Sequence, residues 1–152
     1  MQRHKCLRPL SHDHHHGLVQ AHRLQQAGTP DARPLDETVA GFIRFWEEDG
    51  QRHFRDEEEI LLPAYHRRAD PDRPEIVEML LQHIAIRRHA LELSEDLAAG
   101  RSPAPQALRA LGELLERHIR LEERVVFPLI EQALTDAEWA WIAARWPAAR
   151  DT

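Results

Sequence analysis

Apolar residues recur along this chain in steps of three and four, the spacing that gathers them on one face of a helix. The stripe is clearest in two stretches: Ile76, Met79, His83, Ile86, Ala90, Leu93 and Leu97, then Leu108, Leu111, Leu115, His118, Glu122, Val125 and Leu129. Val39, Phe42, Trp46, Asp49, His53, Glu57, Ile60 and Ala64 obey the same rule, and Leu7, Leu10, His14, Leu18, Ala21 and Leu24 do so less cleanly. Pro and Gly punctuate the chain at AGTPDARP (27–34), RRADPDRP (67–74) and AAGRSPAP (98–105), and nothing between them shows the β-branched alternation of strands. The pattern predicts four long helices over roughly 9–27, 35–65, 74–99 and 105–133. A short fifth helix opens at TDAE, where Thr135 and Glu138 have capping-box spacing. Loops this short join antiparallel neighbours. The expected fold is all-α, an up-down-up-down antiparallel four-helix bundle with a short C-terminal fifth helix, built as one domain over residues 1–152. The fifth segment carries Trp139, Trp141 and Trp146 and reads as a lid packed over one end of the bundle.

Polar groups interrupt all four stripes at mid-helix. Two of the interruptions repeat: HFRDEEEILLP from His53 to Pro63 and HIRLEERVVFP from His118 to Pro128 both read H-x3-E-E-x4-P. With 16 glutamates and 10 prolines in the chain, a match after a given histidine arises by chance roughly once in a thousand, so two matches indicate a real repeat. The helix before each motif carries an inward histidine, so one helical hairpin is used twice: His14 or His15 with His53 and Glu57, then His83 with His118 and Glu122. Positions i and i+4 lie only about 40° apart on a helix, so each motif offers an imidazole and a carboxylate to one point.

Burying four imidazoles and two carboxylates without inward Lys or Arg is costly, and a multivalent cation removes the cost. Nitrogen and oxygen donors without thiolate suit iron, manganese or zinc, and carboxylates able to bridge favour a two-metal centre. In SHDHHHGLVQAH (11–22), His14 continues the inward spacing of Leu7 and Leu10, whereas His15 faces with Leu18 and His22. One of the two is needed; His14 is favoured and His15 is the alternative. Glu58 and Glu123 read as acceptors behind the ligands or as surface charges, and Asp49 as a candidate to orient His53. His4, His12, His66 and His89 lie off the stripes and read as solvated.

Composition narrows the field. Twenty basic and 26 acidic residues give a net charge of −6 without a basic cluster, which excludes nucleic acid as the expected partner. Cys6 is the only cysteine, MQRHKCLRPL lacks an apolar signal core, and no stretch reaches spanning length; a cytoplasmic protein without a membrane partner is expected. No Ser/His/Asp or Cys/His arrangement stands out, so no catalytic residue is assigned. Tyr65, the only tyrosine, reads as a boundary residue with its hydroxyl in water.

DHHHGL in the first helix, HFRDEE…P, the His83 of QHIAIRRH, and HIRLEE…P together resemble the hemerythrin-like, or HHE cation-binding, family, over about Leu10 to Gln132. The resemblance implies a four-helix bundle holding two non-haem iron ions, with manganese or zinc as alternatives. At the matching positions the ligands would be His14 (or His15), His53, Glu57, His83, His118 and Glu122, with Glu57 and Glu122 bridging. It further implies binding or sensing of a small diatomic ligand or peroxide, such as oxygen binding; no protein partner follows from it. Two departures stand out. Oxygen-carrying hemerythrins have a histidine where this chain has Arg87, and an aspartate five residues after the last histidine, where it has Glu123. One imidazole fewer leaves a position open, which brings in the alternative of an oxidant-scavenging enzyme, peroxidase-like or nitric-oxide-removing. A third reading is a structural bundle that holds zinc.

Overall fold

The computed structural model describes residues 2–146. After a 3₁₀ turn at Lys5–Leu7 comes α1, Arg8–Gln25. Helix α2 covers residues 35–65 without a break, as Leu35–Phe45, a π turn at Trp46–Gly50, Gln51–Asp56, a second π turn at Glu57–Leu61, and Leu62–Tyr65. Helix α3 is Pro74–Ala98; α4 covers 105–133 as Pro105–Leu121, a π turn at Glu122–Val126, and Phe127–Ala133; α5 is Asp136–Ala143. There is no strand among the described residues. The all-α bundle with a short fifth helix read from the sequence is therefore the observed one.

The helix starts follow from local chemistry. Pro74 and Pro105 open α3 and α4, where a missing N–H costs nothing. Thr135 and Glu138 form the reciprocal capping box of α5.

The three π turns explain a feature that simple periodicity misses. In the second and third, Leu62 N–H bonds to Glu57 O and Phe127 N–H to Glu122 O, five residues back. Each is followed at once by a proline, Pro63 or Pro128, which has no N–H to give and whose ring would crowd the carbonyl four residues earlier. The proline of the repeated motif is thus the partner of a π turn that begins on its first glutamate. Each π turn adds a residue to one turn and advances the inward face by one position. Val126 and Ile130 are fully buried where the stripe pointed to Val125 and Leu129, Leu61 is buried in place of Ile60, and Gly50 in place of Asp49. In α1 Gly17 faces inward rather than Leu18, and in the last turn of α3 Leu97 is exposed, because the buried stripe ends at Leu93.

Each long helix packs on two others, in the cyclic order α1, α2, α3, α4. Helices α1 and α4 approach most closely: a side chain on Gly112 would sit 2.7 Å from the Ala21 carbonyl oxygen. The core divides into two apolar clusters. One holds Leu7, Leu10, Leu61, Ile76, Phe127 and Ile130 with Trp139 and Ile142 of α5; the other holds Leu24, Phe42, Trp46, Ile86, Leu111 and Leu115. The four long helices contribute to both, in opposite chain directions for successive helices, as antiparallel packing requires. The tryptophan helix closes the first cluster, with Trp141 and Trp146 packed against it. No described helix is long and apolar enough to cross a membrane.

Candidate metal centre

Between the two clusters lies a buried polar layer. His14, His53, His83 and His118 are each at most 5% exposed, and Glu57 and Glu122 are fully buried. One helix supplies each imidazole, and the two π turns supply the carboxylates. The i, i+4 spacing delivers the local pairs: His53 Nε2 lies 2.9 Å from Glu57 Oε1, and His118 Nε2 lies 2.9 Å from Glu122 Oε1. The remaining histidines arrive from the other helices, His83 Nε2 at 3.1 Å from Glu57 Oε2 and His14 Nε2 at 3.1 Å from Glu122 Oε1.

Two groups of donors converge. His14, His53, Glu57 and Glu122 form one, and Glu57, His83, His118 and Glu122 the other, with the donor atoms of each group within 4.8 Å of one another. Both groups use the same two carboxylates. Within the layer, Nε2 of His53, His83 and His118, both Glu57 oxygens and Glu122 Oε2 make no hydrogen bond. So many unpartnered buried lone pairs facing one another would be strongly unfavourable without a shared cation. The donor set fits a pair of metal ions.

Every Nδ1 faces away from the layer and is held. His14 Nδ1 meets Glu123 Oε1 at 2.6 Å, His53 meets Asp13 Oδ2 at 3.0 Å, His83 meets Glu58 Oε2 at 2.6 Å, and His118 meets Gln82 Oε1 at 2.9 Å. An ionised carboxylate only accepts, so Nδ1 carries the proton and Nε2 presents its lone pair inward. Glu58 is tied in turn to Arg87 Nη1 at 2.8 Å, and Glu123 to Arg3 Nη2 at 2.8 Å. Phe54 stacks on the His83 ring at 3.8 Å, fixing its plane.

Protons gather in this layer when no cation balances it. Burial opposes charge on His83, but the carboxylates of Glu122 and Glu57 facing its Nε2, with Glu58 on its Nδ1, push it up to about 10. Burial likewise opposes charge on His53 and His14; the Glu57 charge holds the first well above 6.5, and hydrogen bonds to Glu122 and Glu123 raise the second. Against their own burial, Glu122 is held well below the usual carboxylate range by His118, and Glu123 is held down to about 2 by its bond to His14 and the nearby charge of Arg3.

A small cavity touches one side of the layer. About 20 Å³ is open to the centre of a water-sized molecule, above the roughly 10–15 Å³ that one water needs. His14, His53, His118 and Glu122 border it on the side of the layer; Phe42, Trp46, Phe54, Ile86, Leu115 and Ile119 are among its apolar walls.

Of the histidines read from the sequence, His14, His53, His83 and His118 meet in the layer, with Glu57 and Glu122. His15 is exposed and outside both groups, because it sits about 100° round α1 from His14. Glu58 and Glu123 hold imidazoles from behind. Asp49 does not orient His53; the first π turn rotates it outward, where it meets Arg52 at 3.3 Å and His16 at 3.5 Å. His12, His22 and His66 are exposed, but His4 is not simply solvated, since it stacks on Trp139 at 3.8 Å. Tyr65 is 1% exposed in the apolar cluster under α5, so its hydroxyl is not in water. Asp13 and Gln82 escaped the sequence reading, although each immediately precedes the inward histidine of its hairpin, which is a signal the repeat already carried.

Compared with known proteins, the chain matches the family model described as Hemerythrin HHE cation binding domain over residues 8–130. No curated protein and no solved structure gives a significant match.

Proposed function

The chain belongs to the hemerythrin HHE cation binding domain family, and from that premise we propose that it is a non-haem di-iron protein that binds or senses dioxygen, nitric oxide or peroxide. The observation that carries this reading is the sharing of Glu57 and Glu122 by two His₂ groups beside a cavity of about 20 Å³, too small for a larger substrate. His14, His53, Glu57 and Glu122 would hold one ion, and Glu57, His83, His118 and Glu122 the other. Bound there, two iron ions supply reversible one-electron chemistry toward a small ligand.

The chain's own residues prepare that chemistry. Glu123, Asp13, Glu58 and Gln82 fix each ring so that Nε2 faces the layer. Aromatic and aliphatic side chains line the cavity, so charge changes in the adjoining layer are felt at low dielectric. Arg87, one turn after His83, points to Glu58 rather than into the layer, so the donors remain four imidazoles and two carboxylates. That leaves room for an external ligand and supports a second reading, in which the protein consumes peroxide or nitric oxide.

Elemental analysis and an optical spectrum of freshly purified protein test the proposal. About two iron per chain, with near-ultraviolet absorption that changes on adding dioxygen, nitric oxide or peroxide, is the expected result. Roughly one zinc per chain and no spectral response would overturn it. Steady-state loss of peroxide or nitric oxide separates turnover from binding.

A further inference from the structure

The two donor groups are built from matching pieces of the repeat, yet their outer oxygens differ in charge. Asp13 and Gln82 occupy equivalent places, each one residue before the first histidine of its hairpin, and each reaches the second histidine of that hairpin: Asp13 to His53 at 3.0 Å, Gln82 to His118 at 2.9 Å. One is a buried carboxylate and the other a neutral amide. The remaining outer contacts match. Glu123 behind His14 is tied to Arg3, which also bonds Glu131, and Glu58 behind His83 is tied to Arg87, so each of these carboxylates faces a guanidinium and neither pair adds negative charge on the His83/His118 side. Arg52 comes within 3.9 Å of Asp13, but it is about a third exposed and closer to Asp49, at 3.3 Å. An extra negative charge therefore stands behind His53 and has no counterpart behind His118.

We infer that the two cation positions are unequal, the His14/His53 position filling first and more tightly, and that Asp13 and Gln82 set the inequality. A carboxylate accepting from Nδ1–H increases electron density at Nε2 and adds negative charge close to the cation, whereas an amide orients the ring without adding charge. Outer-sphere partners of metal-bound histidine are worth roughly 10–100-fold in affinity. Asp13 and Gln82 are positioning residues that act through His53 and His118. The inference rests on the proposed metal pair.

Calorimetric titration of metal-free protein with Zn²⁺, a redox-inert probe, reads it directly. The wild-type chain should take up two ions in two steps separated by about 10-fold or more. Asp13→Asn should weaken the first step by about 10-fold and merge it with the second, and Gln82→Glu should tighten the second step by a similar factor. Opposite shifts from two near-isosteric changes cannot come from loosened packing, and Gln82→Glu stays informative if Asp13→Asn folds poorly. Two equal steps in the wild type, or a Gln82→Glu protein whose weaker step does not move, would overturn the inequality while leaving the pair intact. Failure to take up a second ion at all would overturn the pair itself.

Discussion

The apolar clusters on either side of the polar layer are finished differently. Under α5 the core is sealed: Leu7, Leu10, Ile76 and Phe127 are fully buried, Trp146 Nε1 donates to the Cys6 carbonyl at 3.0 Å, and Arg3 bonds both Glu123 and Glu131. On the other side the packing stops short of the layer and leaves the small cavity, one wall of which is Trp46. The same indole lines a surface groove with Glu47, Gln51, Arg55 and Arg87. One cluster thus packs directly on the layer and the other leaves a gap beside it. The difference teaches that, in a symmetric-looking bundle, the free space beside a buried polar layer is set by where apolar packing is left incomplete rather than by extra polar groups.

The largest effect should come from the layer that separates the clusters. Glu122 serves both donor groups, so Glu122→Ala should lower metal affinity by about 100-fold or more and leave at most one ion per chain, read by elemental analysis after dialysis. Two ions retained would remove the basis for a shared site.

Next come paired deletions, one in each cluster. Leu10 and Leu115 are both buried, and truncating either to alanine should cost about 2–5 kcal/mol in chemical denaturation. Only Leu115 lines the cavity, so only Leu115→Ala should change the rate of the optical response to nitric oxide. Equal changes from both variants would erase the distinction between a sealed and an approachable side.

Smaller is the pH dependence of the metal-free chain. His14, His53 and His83 are raised from 6.5 in the folded state, so the stabilisation they give is complete below about 6.5 and lost as pH climbs toward about 10, the value for His83. Glu123 is lowered from 4.5, so its stabilisation holds above 4.5 and is lost as pH falls toward about 2. Thermal midpoints of chelator-treated protein should therefore peak between about 4.5 and 6.5 and decline on the alkaline side. Metal competes with those same protons, so the loaded protein should keep its stability to higher pH. Superimposable profiles with and without metal would contradict the layer's role.

The subtlest test touches the gap. Gly→Ala inside a helix ordinarily adds about 0.5–1 kcal/mol. At Gly50 the new methyl would lie 2.6 Å from Trp46 Cε3, so the indole must shift. Gly50→Ala should gain none of that stability and alter the nitric-oxide response rate a few-fold. A stabilised protein with unchanged rates would mean that Trp46 is not part of an approach to the layer.

Helix number, helix limits and the inward direction of His53, Glu57, His83, His118 and Glu122 were legible, with His14 or His15 left open, because they depend on local spacing: an apolar stripe must be buried, and His and Glu four residues apart share a face whatever surrounds them. The phase of the stripe beyond each motif was not legible. Reading Val125 and Ile60 as inward assumed an unbroken α-helix, and the π turns before Pro128 and Pro63 move Val126 and Leu61 into those places. The matching places of Asp13 and Gln82 before their histidines hinted at a shared role, but the choice of Asp13 over Asp49 behind His53 needed the structure, because a side-chain hydrogen bond between helices depends on their relative rotation and height.

By itself the chain's order of residues determined a helical bundle with a doubled His–Glu motif, since backbone periodicity and short loops allow little else. Tertiary packing alone decided the rest: that Glu57 and Glu122 face both donor groups, that each imidazole has an outer partner, and that one cluster closes while the other leaves a gap. Those features are set by distances between helices, which sequence spacing does not encode.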